Sequence, residues 1–250
     1  MTNVRIKVRK SGPAFTLSVE IPNYKVIAID LVPVLAFHNQ PPNCKTLHLK
    51  KIKLKHLLET RVQKFPNRYW FAVPKPLNND RGYFGVEEYR YWRMSFYEYE
   101  KDILSCNGRA KPIIRHLKKF RDTQQWKSIS SYYIETLCLQ ELDIFQNSDR
   151  VSCTSLFFTM LEKLSIVFHD RKLNSYWTNN LNLLDNISDA EFQNMEGRLN
   201  NIIKDIKRNI RDDPYVIARH VLNNAEFDML HIQESEPESE SSNQSRCVII

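Results

Sequence analysis

RIKVRKSGPAFTLSVEIPNYKVIAIDLVPVLAF, residues 5–37, reads as a meander of three strands. RIKVR, AFTLSVEI and VIAIDLV are rich in β-branched residues, and the separators SGP and PNYK carry the Gly, Pro and Asn that favour tight turns. The third strand is expected to end near Pro33. Asp30 stands inside its otherwise apolar run, and a carboxylate withdrawn from water needs a cation or a raised pKa. Two partners suit it: a lysine or arginine of the same chain, or a divalent metal, which hard carboxylate oxygens bind well.

Downstream of this meander the period changes. Over Thr46–Phe65, Leu54, Leu57, Leu58, Val62 and Phe65 form one stripe, while Lys50, Lys51, Lys53, Lys55, Arg61 and Lys64 fall largely off it. That spacing predicts an amphipathic, strongly basic helix. YWFAVPKP (69–76) reads as a short strand stopped by prolines. WRMSF alternates again, with Trp92, Met94 and Phe96 on one face and Arg93 with Ser95 on the other. Helices are predicted at about 97–105, 111–122, 128–145, 152–170, 188–210 and 213–223.

The 250 residues include 42% hydrophobic ones, enough for one sizeable core or two small ones. From Glu226 onward six acids face one arginine, so that segment carries −5 and the preceding residues +12, making the formal +7 of the whole. A body this basic attracts polyanions. Five cysteines without a CxxC pair suggest neither a disulfide framework nor a zinc knuckle. MTNVRIKVRK lacks the apolar centre of a signal peptide, no run approaches a membrane span, and a cytoplasmic protein is the expectation.

Several blocks follow one another along the chain: the meander, then YWFAVPKP, YWRMSFYEYEKDIL, ISSYYIETL and KLNSYWTNNLNLL. Through about residue 225 this order resembles the cyclic GMP-AMP synthase-like receptors and their male-abnormal family relatives. The resemblance implies an α+β nucleotidyltransferase fold: a mixed lobe of antiparallel strands over residues 1–96, packed on a helical lobe over 97–225. It also implies joining of ATP and GTP into a cyclic dinucleotide second messenger in innate immunity, with Mg²⁺ or Mn²⁺ as cofactor and nucleic acid as activator. Asp30 falls where the family places its third metal-binding, catalytic carboxylate. Arg93 and Ser95 would reach the nucleotide, with Glu100 on the same wall a turn into the next helix. In IIRHLKKFRD the family lysine that contacts nucleotide aligns with Lys118, or with Arg115 if the register slips. In SSYYIET, Ser131 would bond phosphate and Tyr132 would stack on a base.

Departures from the pattern bear on function. The family's first two metal carboxylates and its Gly-Ser phosphate loop precede the KVRK strand, and this sequence contains no Gly-Ser dipeptide. The expectation is an N-terminally incomplete nucleotidyltransferase or, alternatively, a catalytically inactive isoform or pseudoenzyme that binds nucleotide or double-stranded RNA. A family lysine is replaced by Glu135. SCNGRAKP holds one cysteine and no histidine, so a zinc thumb is not expected. That points to the invertebrate receptors, several of which sense double-stranded RNA rather than DNA. The lysine-rich helix at 46–65 is the candidate surface for its backbone phosphates. The segment 226–250 is expected to be a disordered acidic tail. It ends in CVII, which fits a prenylation box at Cys247 and would bring the chain to membrane only if lipidated.

Overall fold

The computed structural model describes residues 4–11, 14–24, 26–38, 68–74, 92–146, 151–177 and 181–235. Two compact units meet in sequence between Lys101 and Asp102.

In the first unit, β1 (Arg5–Ser11), β2 (Ala14–Glu20) and β3 (Ile27–Leu31) form an antiparallel sheet in the order β1-β2-β3. Pro22 and Asn23 build the second turn. Asn23 has φ 66° and the Tyr24 N–H reaches the Ile21 carbonyl at 3.0 Å, as a turn with Pro at its second position and Asn at its third requires. The register sets Val8, Leu17 and Ile29 in one row, and Arg9, Thr16 and Asp30 in the next. Because successive side chains point to opposite faces, one face of the sheet is apolar and the other polar.

This alternation corrects the premise about Asp30. All five residues of β3 are exposed, so the carboxylate is not desolvated and burial gives it no need of a cation. Asp30 instead accepts a hydrogen bond from the Thr16 hydroxyl opposite it, at 2.7 Å. The strand also ends at Leu31. Leu35–Phe37 is a separate strand, β4, which pairs with β5 (Trp70–Pro74).

β5 pairs in turn with β6 (Trp92–Ser95), giving a second antiparallel sheet in the order β4-β5-β6. Phe37 stacks on Trp70 with ring centroids 4.3 Å apart, and Trp70 lies 6.4 Å from Phe96. This aromatic face fixes the opposite one, which carries Arg93 and Ser95. Helix α1 (Tyr97–Ser105) follows directly.

The second unit is helical: α2 (Ala110–Thr123), α3 (Ser131–Gln140), α4 (Leu142–Gln146), α5 (Cys153–Asp170), α6 (Asp189–Asn209), α7 (Val216–Val221) and α8 (Asn224–Ser235). Serines start three of them. The hydroxyls of Ser130, Ser152 and Ser188 accept the N–H groups of Tyr133, Ser155 and Glu191, satisfying donors that have no partner within the helix. Its core joins α2, α3, α5 and α6 around Phe120, Trp126, Phe157 and Phe168. Phe120 meets the Trp126 ring edge-on at 5.3 Å, and Trp126 meets Phe168 at the same separation.

Two expectations are revised here. The helix predicted at 128–145 is two helices, because Glu141 leaves helical geometry at φ −106°, ψ 28°. Disorder from Glu226 does not hold through Ser235, where α8 lies. Asn223 and Glu226 form a reciprocal capping pair: the Glu226 N–H donates to Asn223 Oδ1 and the Asn223 N–H to Glu226 Oε2, both at 3.0 Å. The Lys119 ammonium binds Glu226 Oε1 at 2.6 Å and ties the new helix to α2.

Candidate functional site

The predicted site residues fall into three clusters. The first is the polar face of the β1-β2-β3 sheet. Lys7 donates to Glu20 at 2.6 Å, and this hydrogen bond holds the Glu20 carboxyl below the usual carboxylate range. Beside that pair lies the row Arg9, Thr16, Asp30. Carboxylate and hydroxyl oxygens are hard donors suited to Mg²⁺ or Mn²⁺. Yet among the described residues no group of three or more His, Cys, Asp or Glu side chains is placed to hold a metal. One strand aspartate does not position two catalytic cations, so the described residues do not fit a complete divalent-metal site.

The second cluster belongs to the β4-β5-β6 sheet. Arg93 lies opposite Val73 and Ser95 opposite Phe71, so the register places both polar side chains on one face, as the alternation of WRMSF predicts. Arg93 is exposed and Ser95 half-buried. In the following helix Glu98 is engaged with this sheet: its Oε2 accepts the Tyr69 N–H at 2.8 Å, anchoring α1 to the start of β5.

The third cluster spans α2 and α3. Lys118 forms an ion pair with Glu135, with the two side chains 29% and 32% exposed. Substitution of Glu135 for the expected lysine thus does more than reverse a charge: it supplies the partner that occupies Lys118. Arg121, one turn further along α2, donates through Nη1 to the Ser131 hydroxyl at 3.0 Å and to the Ile129 carbonyl at 3.3 Å, while Asp122 takes its Nε and Nη2. Ser130, rather than Ser131, caps α3, which leaves Ser131 exposed at the first helical position beside a guanidinium. Half-buried Tyr132 follows it. A hydroxyl, a guanidinium and a helix N-terminus converging in this way favour an anion.

Arg121 was not among the predicted site residues. The signal for it is present in IIRHLKKFRD, since Lys118 and Arg121 are three apart and share a helical face. Lys50, Lys51, Lys53, Lys55, Arg61 and Lys64, together with Cys247, lie outside the described residues.

A chain that combines antiparallel strands bearing a polar strand aspartate with a capped helical unit has the α+β organisation of a nucleotidyltransferase-fold protein. Residues 2–106 match the Mab-21 protein nucleotidyltransferase domain and residues 109–201 the Mab-21 protein HhH/H2TH-like domain. The chain belongs to the Mab-21 family. It is 38% identical over 231 residues to a cyclic GMP-AMP synthase-like receptor of Microplitis demolitor, an alignment covering 92% of this chain and 39% of the relative. Similarity to the receptor of Ctenocephalides felis is 35% over 268 residues, covering 99% and 58%. For that of Trichogramma pretiosum it is 33% over 254 residues, covering 97% and 48%. The chain spans about half the length of the curated relatives it matches. No helix among the described residues is long and apolar enough to cross a membrane.

Proposed function

We propose that this chain is part of a nucleic-acid-sensing nucleotidyltransferase of innate immunity, one that joins ATP and GTP into a cyclic dinucleotide in the cytoplasm. The observation that carries the reading is the succession of the two Mab-21 domain matches along the chain, reinforced by relatives named as cyclic GMP-AMP synthase-like receptors. In this reading Arg93 and Ser95 are nucleotide contacts of the strand unit, and Lys118, Ser131 and Tyr132 are nucleotide contacts of the helical unit. Arg121 is a further phosphate ligand or the group that orients Ser131. Glu100 supports the wall beside Arg93. Asp30 is a metal-binding carboxylate, and Lys50, Lys51, Lys53, Lys55, Arg61 and Lys64 face double-stranded RNA.

A second reading, a catalytically silent protein that binds nucleotide or double-stranded RNA, is favoured by one specific observation. Among the described residues there is no carboxylate cluster for the cations that phosphoryl transfer uses. Both readings are tested by incubating the chain with labelled ATP and GTP, Mn²⁺, and either double-stranded RNA or DNA. Product from the wild type and none from Asp30→Ala supports the enzyme. Nucleotide binding that Arg93→Ala weakens, without product, supports the silent binder. Equal and negligible binding by wild type and Arg93→Ala removes both.

A further inference from the structure

The helical unit contains a hollow of about 710 Å³ between the C-terminal end of α2, the middle of α6 and the turn from α7 into α8. Its polar lining is Thr123, Gln124, Arg198, Arg219, His220, Asn223 and Asn224, and no acidic side chain lines it. We infer that this hollow is a second binding site, separate from the candidate nucleotide site, for a small phosphate-bearing anion.

The lining is built rather than incidental. Thr123 donates its hydroxyl to the Val221 carbonyl at 2.7 Å and Gln124 its amide to the His220 carbonyl at 2.9 Å, so two neutral hydrogen bonds pin the end of α7 to the end of α2. Gln124 itself is 5% exposed. Its backbone carbonyl accepts one N–H of Arg198 at 3.3 Å, which sets the guanidinium at the rim. That bond uses one of five donors, and a planar guanidinium suits phosphate oxygens.

The charges on either side are sorted. Arg219 is ion-paired with Asp213 and lies over the Phe227 ring at 5.8 Å; His220 Nε2 meets Asp205 Oδ2 at 2.9 Å. Both acids line a neighbouring cavity of about 330 Å³, not this one. Arg219 and His220 border both cavities, and Arg198, on the larger hollow alone, makes no carboxylate contact among the described residues. Asn224 and Ala225, also at its edge, open α8. Their N–H groups precede the first intrahelical bond, and the Asn223–Glu226 pair satisfies other donors. The volume matches sites for small molecules and is small for a duplex backbone.

The test titrates sodium pyrophosphate, without divalent metal, into the full ¹⁵N-labelled chain at low salt. Saturable shifts are expected at the amides of Asn223, Asn224 and Ala225 and at the Arg198 side chain. Affinity is expected to fall about tenfold in Arg198→Gln and in Asn224→Asp, the size of one charge-assisted contact. Asn224→Asp leaves Arg198 and its bond to Gln124 intact, and an acid at the first position of a helix favours the fold. Arg93→Ala is expected to leave these shifts in place, which separates this site from the candidate nucleotide site. Absence of the shifts, equal affinity in wild type and both variants, or shifts produced by duplex RNA but not by pyrophosphate would overturn the inference.

Discussion

Replacing Glu135 by glutamine isolates the effect of the ion pair that occupies Lys118. The substitution keeps the side-chain volume and removes the charge, so Lys118 is left with a neutral acceptor. Both partners are about 30% exposed. A hydrogen bond between charged groups is worth roughly 1.5–3 kcal/mol when sheltered, and exposed pairs fall to about 0–1 kcal/mol, so a half-sheltered pair stands near about 1 kcal/mol. A triphosphate that recruits Lys118 must first displace Glu135, and relief of that cost should tighten binding about fivefold. Calorimetric titration of ATP with Mn²⁺ against wild type, Glu135→Gln, Lys118→Ala and the double variant measures it as a cycle. Lys118→Ala should weaken binding more in the Glu135→Gln background than in the wild type, and the difference should shrink at high salt. Unchanged ATP affinity in Glu135→Gln, or a Lys118→Ala effect of the same size in both backgrounds, would refute a phosphate-facing role for Lys118.

Phe120→Ala, which empties the fully buried contact point of Trp126 and Phe157, should lower the stability of the helical unit by about 3–5 kcal/mol in urea unfolding. Cys138 is fully buried, and its thiol is pushed up to about 12 by burial; in native protein at pH 8 a disulfide reagent should label exposed Cys106 well before Cys138, with Cys138 reacting only on unfolding. The Glu226 carboxyl is held below its ordinary value, first by the Lys119 hydrogen bond and then by the Asn223 N–H. Its contribution to holding α8 is therefore present above the unfolded-state pKa and lost as pH falls through the lower folded one, so amide exchange in α8 should accelerate below about pH 4 and Glu226→Gln should remove that step. His169 behaves oppositely: the Glu196 hydrogen bond raises its pKa, so its link between α5 and α6 is complete below the unfolded value and fades as pH rises through the folded one, a shift that imidazole NMR titration of wild type and Glu196→Gln resolves.

The elements were legible where local chemistry decides them. Ser152 and Ser188 announce their helices because an N-cap hydroxyl is a short-range device, and the observed starts at Cys153 and Asp189 follow directly. The face shared by Arg93 and Ser95 was legible for a similar reason, since period two needs no tertiary information. Pairings between distant side chains were not. Nothing in the residues around Lys118 states that a carboxylate seventeen positions away will take it, because that contact depends on how α2 and α3 pack. Arg121 shares a helical face with Lys118 in the sequence, but its contacts with Ser131 and Ile129 were hidden in the same way, since they depend on where α3 begins. The start of α8 was missed because an acidic, apolar-poor composition outweighed one capping pair, Asn223 and Glu226, together with a lysine supplied by another helix.

Asp30 shows how a sound physical rule fails when its premise is taken from composition. Seven letters, VIAIDLV, look like a buried run when counted, and a buried carboxylate does need a partner. Counted by alternation, Ile27, Ile29 and Leu31 point one way and Ala28 and Asp30 the other, so the aspartate belongs to the polar face from the outset. It is exposed and accepts the Thr16 hydroxyl, and the need for a cation no longer follows from desolvation. What keeps a metal role for Asp30 open is the family resemblance alone, and Thr16→Val tests it independently of burial. If the Thr16 bond merely satisfies the strand face, the variant should leave Mn²⁺ and nucleotide binding as they are. If it orients the carboxylate for a cation, Mn²⁺-dependent nucleotide affinity should drop severalfold while metal-free binding stays constant. No difference between the two conditions in wild type itself would remove Asp30 from the metal reading.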